Sequence, residues 1–206
     1  MNVETFARAT GISTELAARW VPHINAALAE FEITDRLDVA MFIAQAGHES
    51  SGFSRLEENF NYSLTGLTGT FGSRFSPYQS SMLCRQAGEK VVPLERQKAI
   101  ANIAYGGRYG NTIRGDGWTY RGRGLKQITF KDNYKACGNA LGVDLVANPD
   151  LLLQDEYAAR SAAWFFKSHG CCGLKGDVKR ATEIINGGDN GLSNRVMLFK
   201  RARMGL

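Results

Sequence analysis

Two groups of acidic side chains are the first candidates for chemistry. Glu49 follows His48 at the end of RLDVAMFIAQAGHES, the most apolar stretch of the chain, and Glu57 and Glu58 follow eight and nine residues later. A carboxylic acid buried beside apolar groups has its pKa raised, which suits a proton donor working near neutral pH. Two carboxylates flanking a cleft are what hydrolysis of a glycosidic bond needs. One protonates the leaving oxygen, and the other activates water or attacks directly. Spacing alone does not separate this reading from ion pairing at a helix end, and it leaves Glu57 and Glu58 as equal candidates.

Other chemistries find less support. HES is not HExxH, because Gly52 stands where the second histidine would be, so the zinc-protease motif is absent. GGRYGN contains glycines but lacks GxxxxGK[ST], and His23 and His169 have no partners at ligand spacing. Cys84, Cys137, Cys171 and Cys172 are not spaced as a disulfide framework, and with His169 they do not complete a tetrahedral metal set. Gly187–Gly191 reads only as a turn.

Positioning these residues falls to helices. Ser13 can cap a helix over about 15–30, which Pro22 is expected to kink or split. Residues 36–50 are apolar on nearly every face and should form a central, buried helix. The Gly- and Ser-rich 63–94, punctuated by Pro77 and Pro93, reads as a smaller, loop-rich lobe. Helix resumes over 96–105 and stops at Gly106-Gly107. RYGNTIRGDGWTYRGRGLKQIT reads as a loop or short hairpin, after which Asp132 opens a helix that ends at Gly142. Residues 156–167 and 178–185 are amphipathic helices, and SNRVMLFKRARM is a terminal helix with cations placed for the helix dipole.

A chain of 206 residues, 44% hydrophobic and 22% charged, can build one sizeable core but not two independent domains. No linker composition is visible, so a single lobed domain over 1–206 is expected. No apolar run approaches the roughly 20 residues that span a bilayer, and MNVETFARATG is not a secretory signal. Synthesis in the cytoplasm and no stable membrane insertion are the expectations. A net charge of +5 and a pI near 9.1 favour a polyanionic partner, or mean only a solvated basic surface.

Four segments, in order, carry a resemblance. IAQAGHESSGF (43–53), LEENFNYS (56–63), YRGRGLKQITFKDNY (120–134) and INGGDNGLSNRVMLFKR (185–201) resemble the motifs of glycoside hydrolase family 19, the chitinases and their phage-endolysin relatives. The resemblance implies a mostly α, lysozyme-like fold with a substrate cleft between two lobes. The larger would hold about 1–62 and 97–206, and the smaller about 63–96. It implies an inverting reaction with Glu49 as general acid and Glu58, or Glu57, as base. Thr129 would help to hold the attacking water. Gln127, Asn133, Asn186 and Tyr62 would meet the sugar, Tyr134 would sit on the cleft, and Arg195 would support the carboxylates. Lys126 replaces the commoner isoleucine before Gln127. No metal or organic cofactor is implied.

The endolysin branch implies peptidoglycan glycan strands as partner, a monomer with no nucleic-acid partner, and release from the host cytoplasm to the periplasm at lysis. The alternatives are a chitinase, a cysteine-dependent amidase using Cys84 or Cys137, and a non-catalytic binding module.

Overall fold

Apolar periodicity resolves into eleven α-helices in the computed structural model, which describes all residues 1–206. They are α1 (Val3–Thr10), α2 (Thr14–Glu30), α3 (Arg36–Glu49), α4 (Leu64–Phe71), α5 (Pro77–Leu83) and α6 (Leu94–Tyr105). After these come α7 (Asp116–Thr119), α8 (Lys131–Leu141), α9 (Asp155–Ser168), α10 (Val178–Asn186) and α11 (Leu192–Gly205). Two 3₁₀ turns, Gly72–Arg74 and Pro149–Leu153, join their neighbours. No strand forms. Isolated bridges pair Glu57 with Arg123, Arg123 with Ile128, and Arg108 with Asn111.

The centre of the larger lobe is α3. Asp35 caps it by accepting from the N–H groups of Leu37 and Asp38, and every residue from Ala40 to Gly47 is buried. The middle of such a helix cannot face water, and α1, α9, α10 and α11 pack around it. Phe42 meets Phe166 of α9 edge to face, with ring centroids 5.7 Å apart. Truncating either ring to alanine would cost about 3–5 kcal/mol through lost burial and a cavity.

Of the kink or split expected at Pro22, the split does not occur, and α2 runs through it unbroken. Its ring frees the carbonyl of Ala18, and both residues face solvent, where water takes the missing donor's place. The helix expected to open at Asp132 forms, with Asp132 in its first turn. The helix begins at Lys131 after Phe130, whose φ of 75° turns the chain, and Asp132 donates its own N–H to the Tyr109 carbonyl. Gly142 ends α8 in the left-handed conformation, as expected. The loop before it holds one turn of helix, α7, that no periodicity announced.

A second apolar cluster gathers Leu67, Phe75, Cys84 and Val92. It also takes in Phe60 and the α6 residues Ile100, Ala101 and Ala104, so this grouping extends beyond 63–96 at both ends. The Gly- and Ser-rich stretch thus holds two short helices around a small core rather than loop alone. Tyr120, Ile128, Tyr134 and residues of α8 form a third cluster between the other two in sequence. No helix is long and apolar enough to cross a membrane.

Candidate active site

Glu49 is the last residue of α3, and its carboxylate is held from the far end of the chain. Arg195, buried in the first turn of α11, donates from Nη2 to Glu49 Oε1 at 2.5 Å. The other arm of the guanidinium donates to Gln45 Oε1, one turn back on α3. Gln45 Nε2 lies 3.5 Å from Thr182 Oγ1 of α10, and Thr182 donates to the Val178 carbonyl. Three helices therefore fix one carboxylate. Apolar neighbours are present, as expected, since Phe42, Ala46 and Phe165 line the same recess. Arg195, which the resemblance implied would support the carboxylates, makes the environment polar as well as dry.

Glu58 sits in the loop between α3 and α4 and is held by neutral groups. The Tyr105 hydroxyl donates to Oε1 at 2.6 Å, and the Gly122 N–H donates to Oε2 at 3.2 Å. The Glu58 N–H in turn donates to the Gly122 carbonyl. Burial pushes the Glu58 carboxyl above its ordinary range; the two hydrogen bonds and the charge of Arg121 oppose this without cancelling it. Glu57 points to a different fate. It pairs with Arg121, whose guanidinium also lies 3.8 Å over the Trp118 ring. The two adjacent glutamates, equal in the sequence, are thus unequal in space.

Gly122 is where the loops meet. A Cβ there would stand 2.9 Å from Gln127 Oε1 and 3.2 Å from Glu58 Oε2. Any side chain would push apart the carboxylate and the carboxamide that the fold brings together. Gln127 takes a positive φ of 60° and ties its Nε2 to the Gly124 carbonyl. The Thr129 hydroxyl donates to the Gln127 carbonyl at 3.1 Å, and Asn133 Nδ2 to the Thr129 carbonyl at 2.8 Å. Gln127, Thr129 and Asn133 share one pocket of about 130 Å³ with Lys126 and Trp164.

Tyr62 is half-buried and packs edge-on against Phe60 and Phe71. Burial first, and the charge of Glu58 second, push its hydroxyl up to about 12. Asn186 is exposed at the end of α10, one residue past Ile185, which lines the Glu49 recess. Tyr134 is not on the cleft. It is fully buried, donating to the Arg121 carbonyl and accepting from Arg123, so it braces the loop that carries Gly122. Arg195, at the start of its helix, is a buried ligand of Glu49 and not one of the cations that suit a helix C-terminus; Arg203 occupies that last turn.

Sequence reasoning missed Tyr105 entirely. Its only signal was an aromatic at a helix end before two glycines. It also passed over Arg121 as a charge among glycines. The cysteine alternative loses ground here: burial pushes the Cys137 and Cys171 thiols up to about 12, away from the thiolate a nucleophile requires. Cys84 is buried and donates to the Ser81 carbonyl. No three His, Cys, Asp or Glu side chains group as metal ligands.

Two anchored carboxylates on a two-lobed helical frame define a glycoside hydrolase. Comparison with known proteins is specific. The family model for class I chitinase matches residues 94–172, a segment that holds Tyr105, Gly122 and Gln127 but neither glutamate. A glycosyl hydrolase family 19 domain-containing protein of Haemophilus influenzae is 39% identical over 179 residues, covering 86% of this chain and 84% of the relative. Chitinase 8 of rice is 52% identical over 48 residues, which is 23% of this chain and 18% of that enzyme. Among solved structures, chitinase C from Streptomyces griseus HUT6037 aligns with a TM-score of 0.61 at 19% identity, over 99% of this chain and 75% of its own. A bacterial family 19 chitinase aligns with a TM-score of 0.55 at 20% identity, over 99% and 95%. The chain belongs to glycoside hydrolase family 19.

Proposed function

We propose that this chain is an inverting glycosidase that hydrolyses β-1,4 bonds in the glycan strands of bacterial peptidoglycan, working as a phage-type endolysin. The observation that carries the reading is the unlike anchoring of Glu49 and Glu58. Glu49, at the end of a rigid buried helix, protonates the glycosidic oxygen. Glu58, strengthened as a base by burial and oriented by Tyr105 and Gly122, draws a proton from water on the opposite face of the sugar. Inversion calls for carboxylates roughly 6.5–9.5 Å apart, with room for that water between them. The Thr129 oxygen retains lone pairs to receive the water, because its hydrogen is directed to the Gln127 carbonyl. Gln127, Asn133 and Asn186 offer amides to the acetamido and hydroxyl groups of the sugar, and Tyr62 an aromatic edge. Arg195 acts through Glu49 as a positioning residue.

Support for peptidoglycan over chitin comes from the +5 charge, which suits an anionic wall polymer. In this reading the protein is a monomer made in the host cytoplasm and admitted to the periplasm at lysis, taking neither nucleic acid nor membrane as partner. A chitinase is the second reading, favoured by the names of the relatives. Reducing-sugar release from purified Gram-negative peptidoglycan and from chitin, with wild type and Glu49→Gln in parallel, tests both. Release from peptidoglycan that vanishes in the variant supports the proposal. Release from chitin alone replaces it with the second reading, and release of amino groups alone would sink glycosidase chemistry altogether.

A further inference from the structure

Lys126 is an amine without a partner inside the active site. Its Nζ makes no hydrogen bond and no ion pair to the protein, and rests 4.5 Å from the centroid of the Phe165 ring. Phe165 is stacked in turn on His169 at 3.8 Å, so the ring the amine faces is itself held by a second ring. The residue borders both halves of the site. One side is the tight recess that holds Glu49, and the other is the pocket of Gln127, Thr129 and Asn133.

The charges around it do not balance. Glu49 is the one anion of the recess, and it is already taken by Arg195 at 2.5 Å. Lys126 and Arg195 are two cations beside it, while burial keeps the nearby Cys171 thiol protonated. Burial holds the Lys126 amine below its usual range, and Glu49 offsets that only in part. A partly dry cation in excess of its anions is a site that a ligand carboxylate would neutralise.

We propose that Lys126 is the residue that selects acidic glycans: its amine receives a carboxylate carried by the sugar in the Gln127 pocket, favouring muramyl strands over uncharged N-acetylglucosamine polymers. The inference rests on the peptidoglycan reading above and names the group by which that substrate is told from chitin. Two carboxylates have the required chemistry. One is the lactyl carboxylate of muramic acid, free in peptide-free strands; the other belongs to the stem peptide, which consumes the lactyl group as an amide.

Binding measured in a Glu58→Gln background, where turnover is blocked, separates these cases. Three ligands are titrated: a peptide-free muramyl tetrasaccharide, its stem-peptide-bearing counterpart, and chitotetraose. Adding Lys126→Met should weaken a muramyl ligand about 10- to 100-fold, the usual scale for a lost charge-assisted hydrogen bond, while chitotetraose changes by less than about twofold. Lys126→Arg should keep the preference. Loss confined to the peptide-free ligand assigns the lactyl carboxylate, and loss confined to the peptide-bearing one assigns the stem. Equal weakening of muramyl ligands and chitotetraose, or no weakening of any, overturns the proposal. Unchanged chitotetraose binding also shows that the variant has folded. The peptidoglycan reading fails by a different result, namely wild-type cleavage of chitin with none of peptidoglycan.

Discussion

Glu49 and Glu58 are fixed in place by opposite means. One ends a buried helix and is held by a guanidinium that reaches back from α11; the other lies in a loop and is held by a phenol and a backbone amide. The first arrangement uses charge, so its integrity depends on a single buried ion pair and on the helices that deliver it. The second uses dipoles and burial, which leave the carboxylate desolvated and more basic than an ordinary glutamate. The two carboxyl groups thus differ in their anchors although they share a residue type, and the difference is built by their neighbours.

The largest test of the contrast removes each carboxyl in turn. Glu49→Gln and Glu58→Gln should each lower kcat by about 10²–10⁴-fold, measured as reducing-sugar release. Their stabilities should diverge. Folding raises the Glu58 carboxyl, so the stability it contributes is full below the unfolded carboxylate range and is lost as pH rises through the folded value. At neutral pH the ionised, buried group therefore works against folding. Glu58→Gln should melt at or above the wild-type temperature at pH 7, with the advantage shrinking as pH falls. A clear drop in melting temperature at pH 7 would contradict the desolvated state argued for Glu58.

Breaking the charged anchor comes next. Arg195→Met should destabilise the fold by about 3–5 kcal/mol, because it strands a half-buried carboxylate and the Gln45 amide. Urea unfolding monitored at the aromatic residues gives the value, and a loss under about 1 kcal/mol would mean that water replaces the guanidinium freely. The neutral anchor is weaker. Tyr105→Phe removes one hydrogen bond to Glu58 and should cost roughly tenfold in kcat/KM. That bond favours the ionised form, so its loss should move the acid-side fall of the pH profile to higher pH. An unmoved acid limb would show that some other group controls it.

The smallest effect sharpens the choice between neighbours. Glu57 is bound to Arg121 and is partly exposed, so Glu57→Gln should change stability by no more than about 1 kcal/mol and leave activity within a few-fold. An inactive Glu57→Gln with an active Glu58→Gln would reverse the assignment of the base.

The helices were legible because burial imposes a period on the chain. The apolar run of α3, the Ser13 cap and the Gly106 and Gly142 stops each state a local requirement that tertiary packing left untouched. The motif resemblance located Glu49, Gln127 and Arg195. What stayed hidden was pairing across distance. Tyr105 meets Glu58 over 47 residues with nothing in either neighbourhood to announce it, whereas the link from Arg195 to the carboxylates came from the motif resemblance alone. Tyr134 was placed on the cleft because its motif neighbours lie there, yet helix periodicity turns it inward beside Asn133, which faces out. That Pro22 does not split α2 has a related cause: the penalty for a missing donor depends on whether the freed carbonyl is exposed, and Ala18 and Pro22 both are.

The guanidinium that holds Glu49 belongs to α11, which follows the carboxylate it clamps by most of the chain. Both carboxylates, Tyr105, Gly122 and Gln127 are synthesised well before residue 195, and α11 must then return to dock along α3 and α1. A chain interrupted before that point carries the reactive groups without the clamp. Hydrolytic competence is thus tied to synthesis and docking of α11, and a fragment that stops before Arg195 is expected to be inert.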